Sequence, residues 1–148
     1  MEIERKFLIA KLPDNLDDYP HKSYTQGYLC RKPVVRVRDE GGEYVLTYKG
    51  EGLLTREEYN LPLNEEAFLH MLMKVDGRVI EKERYRIPIQ DNKYTAELDI
   101  FKRDLSPLIM VEVEFETEED AMAFEPPEWF GKDVTYDDRY HNSNLSLQ

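Results

Sequence analysis

The stretch Glu2-Ile3-Glu4-Arg5-Lys6-Phe7-Leu8 decides how this chain folds, because its side chains change character at every second position. Alternate side chains of an extended strand share one face, so Glu2, Glu4 and Lys6 point to the same side. Two carboxylates this close repel each other unless a cation lies between them. Together they form the hard oxygen site that Mg²⁺ or Mn²⁺ prefers.

The same alternation returns in later segments, which we predict to be further strands: 34–38, 44–49, 56–61, 82–87, 96–100 and 111–115. Each segment has one apolar face and one ionised face. The charges are segregated by sign, since the segments near residues 36, 48 and 83 are basic and those near 98 and 113 are acidic. A sheet face in water usually mixes both signs. The pattern therefore predicts a sheet curled so that its ionised faces converge on a lumen.

Two amphipathic segments are predicted to form helices that cover the apolar outer face of this sheet. Asn64 is expected to cap a helix over 65–75, which ends at Asp76-Gly77. A second helix is expected to begin at Thr117 and to stop before Pro126-Pro127. Together with the strands, these helices define a mainly β (α+β) fold.

Length and composition are those of one globular domain, which we expect to cover residues 1–148. No apolar run approaches the ~20 residues that span a bilayer, and no signal peptide precedes the first strand. Cys30 is the single cysteine, so an internal disulfide is excluded. These features predict a cytoplasmic protein without membrane contact.

The formal net charge of −11 argues against binding to duplex nucleic acid, because the phosphates of a duplex would be repelled. An acidic shell around a basic interior would instead select a small polyanion that can enter the lumen. We therefore expect a small anionic molecule as the binding partner.

The segment Glu2-Ile3-Glu4-Arg5-Lys6 resembles the ExExK signature of the CYTH superfamily, the triphosphate tunnel metalloenzymes. The resemblance continues in order along almost the whole chain, in the segments Gln26-Gly27-Tyr28-Leu29, Val35-Arg36-Val37-Arg38, Leu46-Thr47-Tyr48-Lys49-Gly50, Arg56-Glu57-Glu58, Lys82-Glu83-Arg84-Tyr85, Glu97-Leu98-Asp99-Ile100-Phe101, Val111-Glu112-Val113-Glu114-Phe115 and Asp133-Val134-Thr135. It implies an eight-stranded antiparallel β-barrel, open as a tunnel, with helices packed on the outside.

Members of this superfamily hydrolyse inorganic tripolyphosphate, thiamine triphosphate or RNA 5′-triphosphate, or cyclise ATP to cyclic AMP. The resemblance therefore implies chemistry on a triphosphate. Where some members carry a further acidic residue, this chain has Asn60. That difference implies that one metal contact is missing or mediated by water.

Seven basic side chains on the ionised faces are predicted to bind the substrate phosphates: Lys6, Arg36, Arg38, Lys49, Arg56, Lys82 and Arg84. A triphosphate carries roughly four to five negative charges and needs fixed cations to enter a lumen of low dielectric constant. Arginines can grip phosphate oxygens with two hydrogen bonds, whereas lysines act as point charges.

Seven carboxylates are candidates for the metal site: Glu2, Glu4, Glu58, Glu97, Asp99, Glu112 and Glu114. One or two hydrated Mg²⁺ ions need fewer ligands than this. Some of the seven must therefore be salt-bridge partners of the basic residues. Glu2, Glu4 and Glu114 rank first as ligands, and Glu97 and Asp99 fit either role.

The reaction predicted for this lumen is metal-dependent transfer of a phosphoryl group to water. Mg²⁺ or Mn²⁺ is predicted to align the phosphate chain, and a carboxylate to assist deprotonation of the attacking water. The candidates for that carboxylate are Glu4, Glu58 and Glu112. The three histidines, His21, His70 and His141, are interpreted as surface residues rather than catalysts, with the alternative that His141, near Tyr140, borders a mouth of the tunnel.

Inorganic tripolyphosphate is the favoured substrate, because the chain has no evident insertion that could bind an adenine. Two enzymatic alternatives stay open, a class IV adenylyl cyclase that converts ATP to cyclic AMP and a thiamine triphosphatase. A third alternative is a noncatalytic polyphosphate-binding module. Pure anion binding gains nothing from so many carboxylates, and metal-dependent turnover would separate an enzyme from such a module.

Overall fold

The chain forms one antiparallel sheet, and the computed structural model describes residues 1–147. The strands are β1 (Glu2–Ile9), β2 (His21–Arg31), β3 (Val34–Glu40), β4 (Tyr44–Lys49), β5 (Thr55–Arg56), β6 (Glu58–Leu63), β7 (Asp76–Ile89), β8 (Tyr94–Phe101), β9 (Ile109–Phe115) and β10 (Phe130–Asp133). The helices are α1 (Glu65–Leu72), α2 (Glu118–Ala123) and α3 (Asn142–Leu145), and short 3-10 turns cover Leu16–Asp18, Arg103–Leu105 and Asp138–Tyr140. Within residues 1–147, no helix is long and apolar enough to cross a bilayer.

The sheet curls into a barrel. Among the described residues, no unbroken ladder of strand pairs closes it, because the closing segment is interrupted between β5 and β6. The strand order is β10-β1-β9-β8-β7-β2-β3-β4-β6, and β5 pairs with β1 beside β10. Only Glu57 separates β5 from β6, so the same segment pairs with β1 at one end and with β4 at the other. If β5 and β6 are counted as one interrupted strand, eight strands surround the lumen, as predicted, and β10 is an addition.

The strand register brings opposite charges together across the lumen face. Lys6 of β1 lies opposite Glu112 of β9, and Arg84 of β7 lies opposite Asp99 of β8. The alternation predicted for β1 is confirmed, since its charged residues of even number are buried on the lumen side. Phe7, of odd number, is buried in the outer hydrophobic core.

The outer core lies between the barrel wall and α2. The ring of Phe7 lies 4.9 Å from that of Phe130 and 6.1 Å from that of Phe124. Arg5, on the apolar phase of β1, is accommodated because its Nη1 donates to the carbonyls of Ala121 and Phe124 at 2.8 and 3.1 Å. A cation at the carbonyl end of a helix satisfies groups that the helix itself leaves unpaired.

The cap predicted at Asn64 is confirmed, and Thr117, the predicted start of the second helix, is the N-cap of α2. Asn64 Oδ1 accepts from the Ala67 N–H at 2.7 Å, and Thr117 Oγ1 accepts from the Asp120 N–H at 3.0 Å. The prediction of a helix to residue 75 was wrong at its C-terminal end, because α1 ends at Leu72. Val75 instead packs against the backbone of Gly27, where an added Cβ would lie 2.7 Å from Val75 Cγ1.

We expect Phe7→Ala to lower the free energy of unfolding by about 3–5 kcal/mol, because Phe7 is 1% exposed and its removal leaves a cavity in the outer core. Leu61→Ala is the matched control, since Leu61 is 59% exposed and its loss should change stability by about 0.5 kcal/mol or less. Urea unfolding followed by circular dichroism measures both values. Equal losses in the two variants would contradict the assignment of this core.

Candidate active site

A cavity of about 370 Å³ lies inside the barrel. All seven predicted cations line it: Lys6, Arg36, Arg38, Lys49, Arg56, Lys82 and Arg84. Six of the seven predicted carboxylates also line it: Glu2, Glu4, Glu58, Glu97, Glu112 and Glu114. The alternation of β-strand side chains has thus collected residues that are far apart in the sequence onto one surface.

Asp99 is the predicted carboxylate that does not line the cavity. It is 1% exposed and is covered by the side chains of two cavity cations, of which Arg84 holds both of its oxygens at 2.7 and 2.8 Å. Lys82 Nζ is also 2.8 Å from Asp99 Oδ2. Burial alone would raise the pKa of Asp99, but Arg84 and Lys82 outweigh it and lower that pKa. This geometry makes Asp99 an ion-pair partner that anchors two cavity cations.

Lys6 lies between two carboxylates of neighbouring strands. Its Nζ is 2.9 Å from Glu4 Oε1 and 2.8 Å from Glu112 Oε2. Burial opposes the charge of Lys6, but the two carboxylates outweigh burial and raise the lysine pKa. Burial and the charge of Glu112 raise the pKa of Glu4 to about 7. Burial acts on Glu112 too, but Lys6 and Arg84 hold its pKa well below the usual range. Glu112 is therefore ionised near neutral pH, whereas Glu4 is partly protonated there.

A second group of charges surrounds Lys49 at the other side of β1. Its Nζ lies 2.9 and 3.1 Å from the two oxygens of Glu2 and 3.4 Å from Glu58. Asn60 Nδ2 donates to Glu58 Oε1 at 3.1 Å. Burial alone would raise the pKa of Glu58, but hydrogen bonds with Glu2, Asn60 and Lys49 lower it to about 2. Asn60 therefore orients Glu58 from its place on the cavity wall.

Two charged residues of the cavity form no ion pair with another side chain of residues 1–147. Arg36 Nη2 donates to Thr47 Oγ1 at 3.1 Å, while its buried Nε has no hydrogen-bond partner. No carboxylate of residues 1–147 forms an ion pair with Arg36. Glu114 likewise makes no hydrogen bond or ion pair with a described side chain. Desolvation and the charges of Glu2 and Glu58 raise the pKa of Glu114. These two charges are therefore not compensated by a neighbouring side chain of opposite charge in residues 1–147.

The lumen has donors for a hard cation, although they are not assembled into a closed cage. Within residues 1–147, no three acidic, histidine or cysteine side chains form a preformed metal-binding group. The register nevertheless places Glu4 opposite Glu114 and Glu97 opposite Glu112. Like charges directly opposite each other are destabilising. A hydrated Mg²⁺ needs only one or two protein carboxylates when phosphate oxygens complete its shell, so this donor set fits such an ion.

Several lining residues were missed by the charge pattern: Tyr24, Tyr28, Glu40, Arg86, Asn142 and Ser143. The lumen face of β2 carries Tyr24, Gln26 and Tyr28, which are uncharged. A search for charged residues therefore misses this face, and only the spacing of these residues at every second position could have indicated it. Asn142 belongs to α3, and its Oδ1 accepts from Lys82 Nζ at 3.2 Å. No local sequence signal places this C-terminal segment against the barrel.

The prediction that His141 lies on the surface was wrong, because this side chain is 4% exposed. Its Nε2 is 3.3 Å from the carbonyl oxygen of Thr135. Burial and the charge of Lys6 lower the pKa of His141 to about 4, so the imidazole is neutral near pH 7. The surface position predicted for the other two histidines is confirmed. His21 is exposed, pairs with Glu83 at 2.6 Å and lies outside the cavity, and His70 is exposed on α1.

Comparison with known proteins identifies the family. The model of the CYTH domain matches residues 1–140. The chain is 45% identical over 150 residues to a protein of Nitrosomonas europaea named inorganic triphosphatase, with 99% of this chain and 97% of the relative covered. A protein of Acetivibrio thermocellus with the same name is 36% identical, at 97% and 92% coverage. The chain belongs to the CYTH domain family, which confirms the resemblance carried by ExExK.

A solved structure supports the same fold. The crystal structure of an inorganic triphosphatase superimposes on this chain with a TM-score of 0.73 at 40% sequence identity. The superposition covers 100% of this chain and 95% of the other. The predicted tunnel fold is therefore confirmed.

Glu4 should make the metal-free protein lose stability as the pH rises. Its pKa is about 7 in the folded state against 4.5 as the ordinary value. The folded state therefore holds more protons between these values, and the contribution of Glu4 is full below pH 4.5 and lost as the pH rises through 7. Glu4→Gln stays neutral and should raise the free energy of unfolding at about pH 8 by roughly 1–3 kcal/mol.

Urea unfolding in EDTA at about pH 5 and about pH 8 measures this effect. Glu116→Gln, which removes an exposed carboxylate outside the cavity, is the control and should follow the wild-type protein. A Glu4→Gln variant that loses as much stability as the wild type between the two pH values would show that Glu4 is not the titrating group.

Proposed function

We propose that this protein is a metal-dependent inorganic triphosphatase that hydrolyses tripolyphosphate within the barrel cavity. The relatives named inorganic triphosphatase support the reaction, and the cavity supports the site. The observation that carries the proposal is the convergence of seven predicted phosphate-binding cations on one cavity, with the Nε of buried Arg36 left unpaired. A polyanion with several phosphate oxygens would satisfy that donor.

The charge balance of the cavity favours a metal-dependent enzyme over a module that only binds polyphosphate. Eight cationic side chains and seven carboxylates line the cavity, so its formal charge is only +1. A pure anion receptor would not retain carboxylates that repel its ligand. Those carboxylates become favourable when a divalent cation enters with the phosphate chain.

Mg²⁺ or Mn²⁺ is the proposed cofactor, with Glu114 as the first ligand and Glu2 and Glu4 as further candidates. Glu114 has no competing ion pair, whereas Lys49 and Lys6 bind the oxygens of the other two. Glu58, Glu97 and Glu112 are candidates of lower rank for the same reason. When bound, such an ion polarises phosphate oxygens and lowers the pKa of a coordinated water.

The protein's own residues have distinct roles in this proposal. Arg36, Arg38 and Lys82 bind phosphate oxygens, and burial lowers the pKa of Lys82 to about 8 although Asp99 beside it opposes the change. Asp99 fixes the side chain of Arg84, which orients the phosphate chain of the substrate. Phosphoryl transfer needs positioning and charge neutralisation more than covalent chemistry, which rigid cations of this kind supply.

Glu4 is the proposed proton acceptor for the attacking water. A base works best when its pKa lies near the operating pH, and the pKa of Glu4 is about 7. Glu58 and Glu112, the other two candidates, have lowered pKa values and are weak bases. Lys6 holds Glu4 Oε1 at 2.9 Å and so fixes the direction in which the carboxylate can accept a proton.

A phosphate-release panel tests the proposed substrate directly. It compares tripolyphosphate, ATP, thiamine triphosphate and long-chain polyphosphate with Mg²⁺ or Mn²⁺, and also measures cyclic AMP. Fastest phosphate release from tripolyphosphate supports the proposal. Cyclic AMP as the main product from ATP, or binding of every compound without turnover, would contradict it.

Removal of the metal should abolish turnover. We expect no phosphate release in excess EDTA and recovery on addition of Mg²⁺ or Mn²⁺. Glu114→Gln should raise the Mg²⁺ concentration for half-maximal activity by roughly tenfold, because it removes the unpaired charge that attracts the ion. Glu57→Gln, outside the cavity on the opposite strand phase, is the control and should leave that concentration unchanged. Full activity of a metal-stripped sample would reject the mechanism.

Arg36 and Arg84 should respond differently to truncation. Arg36→Ala should weaken tripolyphosphate binding by ~1.5–3 kcal/mol without loss of stability, because no carboxylate depends on Arg36. Arg84→Ala should lower the free energy of unfolding by roughly 3–5 kcal/mol, because it leaves Asp99 and Glu112 buried with fewer partners. Calorimetry measures the binding and urea unfolding the stability. The same stability loss in both variants would refute this division.

A further inference from the structure

Tyr24 lies within the basic wall of the cavity, although it carries no charge for a phosphate. Its ring centroid is 5.0 Å from Cζ of Arg38 and 5.0 Å from Cζ of Arg84. Strand β2, which carries Tyr24, lies between β3 with Arg38 and β7 with Arg84. The two guanidinium groups therefore reach the ring from the strands on either side. Tyr24 is 8% exposed and lines the cavity.

The arginines beside Tyr24 are crowded by like charges. Burial and the charges of Arg36 and Arg84 lower the pKa of Arg38. Arg84 is anchored by the carboxylate of Asp99 through two hydrogen bonds. Among the described side chains, Glu40 is the single ion-pair partner of Arg38, and Arg38 Nε lies 2.8 Å from its Oε2. The orientation of Arg38 thus depends on Glu40 and on the ring of Tyr24.

We propose that Tyr24 is a positioning residue for triphosphate binding, whose ring holds the guanidinium of Arg38 in the orientation that grips phosphate oxygens. The inference rests on the proposed function, since it requires a phosphate chain in the cavity. The face of an aromatic ring carries negative potential and attracts a guanidinium group, most strongly where water is excluded. A guanidinium that lies against a ring keeps the N–H groups at its edge free to donate. The same ring contacts Arg84, but Asp99 already fixes that side chain.

Substitution of Tyr24 separates its ring from its hydroxyl group. We expect Tyr24→Leu to raise the KM for tripolyphosphate about tenfold while kcat changes by less than about threefold, because the loss affects binding through Arg38. Tyr24→Phe keeps the ring and should restore the wild-type KM to within about twofold. Tyr59→Leu, an exposed tyrosine on the outside of the barrel, is the control and should leave both constants unchanged. A KM for Tyr24→Phe as high as that of Tyr24→Leu would show that the hydroxyl acts instead and would overturn the proposal.

Fluorinated phenylalanines at position 24 test the electrostatic origin of the effect without loss of ring shape. Increasing fluorination withdraws electron density from the ring face and should raise the dissociation constant of tripolyphosphate step by step. This series remains informative if Tyr24→Leu does not fold. A dissociation constant that stays flat across folded members of the series would overturn the proposal in favour of simple packing.

A double-mutant cycle assigns the effect to Arg38. In an Arg38→Ala background, Tyr24→Leu should change the dissociation constant by no more than about twofold, whereas in an Arg56→Ala background the full tenfold change should persist. Arg56 lines the same cavity from β5, which pairs with β1 and not with the strand that carries Tyr24. Equal effects in the two backgrounds would overturn the proposal. A wild-type protein that neither binds nor hydrolyses tripolyphosphate would instead overturn the proposed function, which is a distinguishable result.

Discussion

The pairing of buried opposite charges on the lumen face, within and between neighbouring strands, is the constraint on which the rest of the structure depends. An ion removed from water costs several kcal/mol unless an opposite charge lies in contact with it. Lys6 meets this condition between Glu4 and Glu112, and Arg84 meets it against Asp99. A slip of one residue in a strand would turn these side chains to the apolar outer face. Charge compensation and outer-core packing therefore select the same strand register.

The face on which each charged residue lies could be predicted from the sequence, because the period of a strand is local. Glu2, Glu4 and Lys6 show this, and the seven basic side chains predicted from alternation all line one cavity. The helix caps at Asn64 and Thr117 were also predictable, since a capping side chain and its N–H donor are three residues apart. These features need no knowledge of which strands become neighbours.

The partner of each charge could not be predicted, because it depends on the closed sheet. Asp99 shares its strand face with Glu97, yet Arg84 and Lys82 bind and cover it while Glu97 lines the cavity. His141 is buried because the C-terminal segment that carries it folds back against the barrel, and this contact joins parts of the chain that are far apart in the sequence. Tyr24 was missed for a different reason, since its strand presents a neutral lumen face and a search for charge passes over it.

The break at Glu57 leaves the barrel with one short ladder in its wall. Strand β5 pairs with β1 over two residues only, whereas β6 pairs with β4 along its whole length. Fewer backbone hydrogen bonds therefore close the wall along this line than join the other neighbouring strands. The ion pair between Lys49 of β4 and Glu2 of β1 spans the same line. A side-chain contact of the cavity thus completes a ring that the backbone closes only in part.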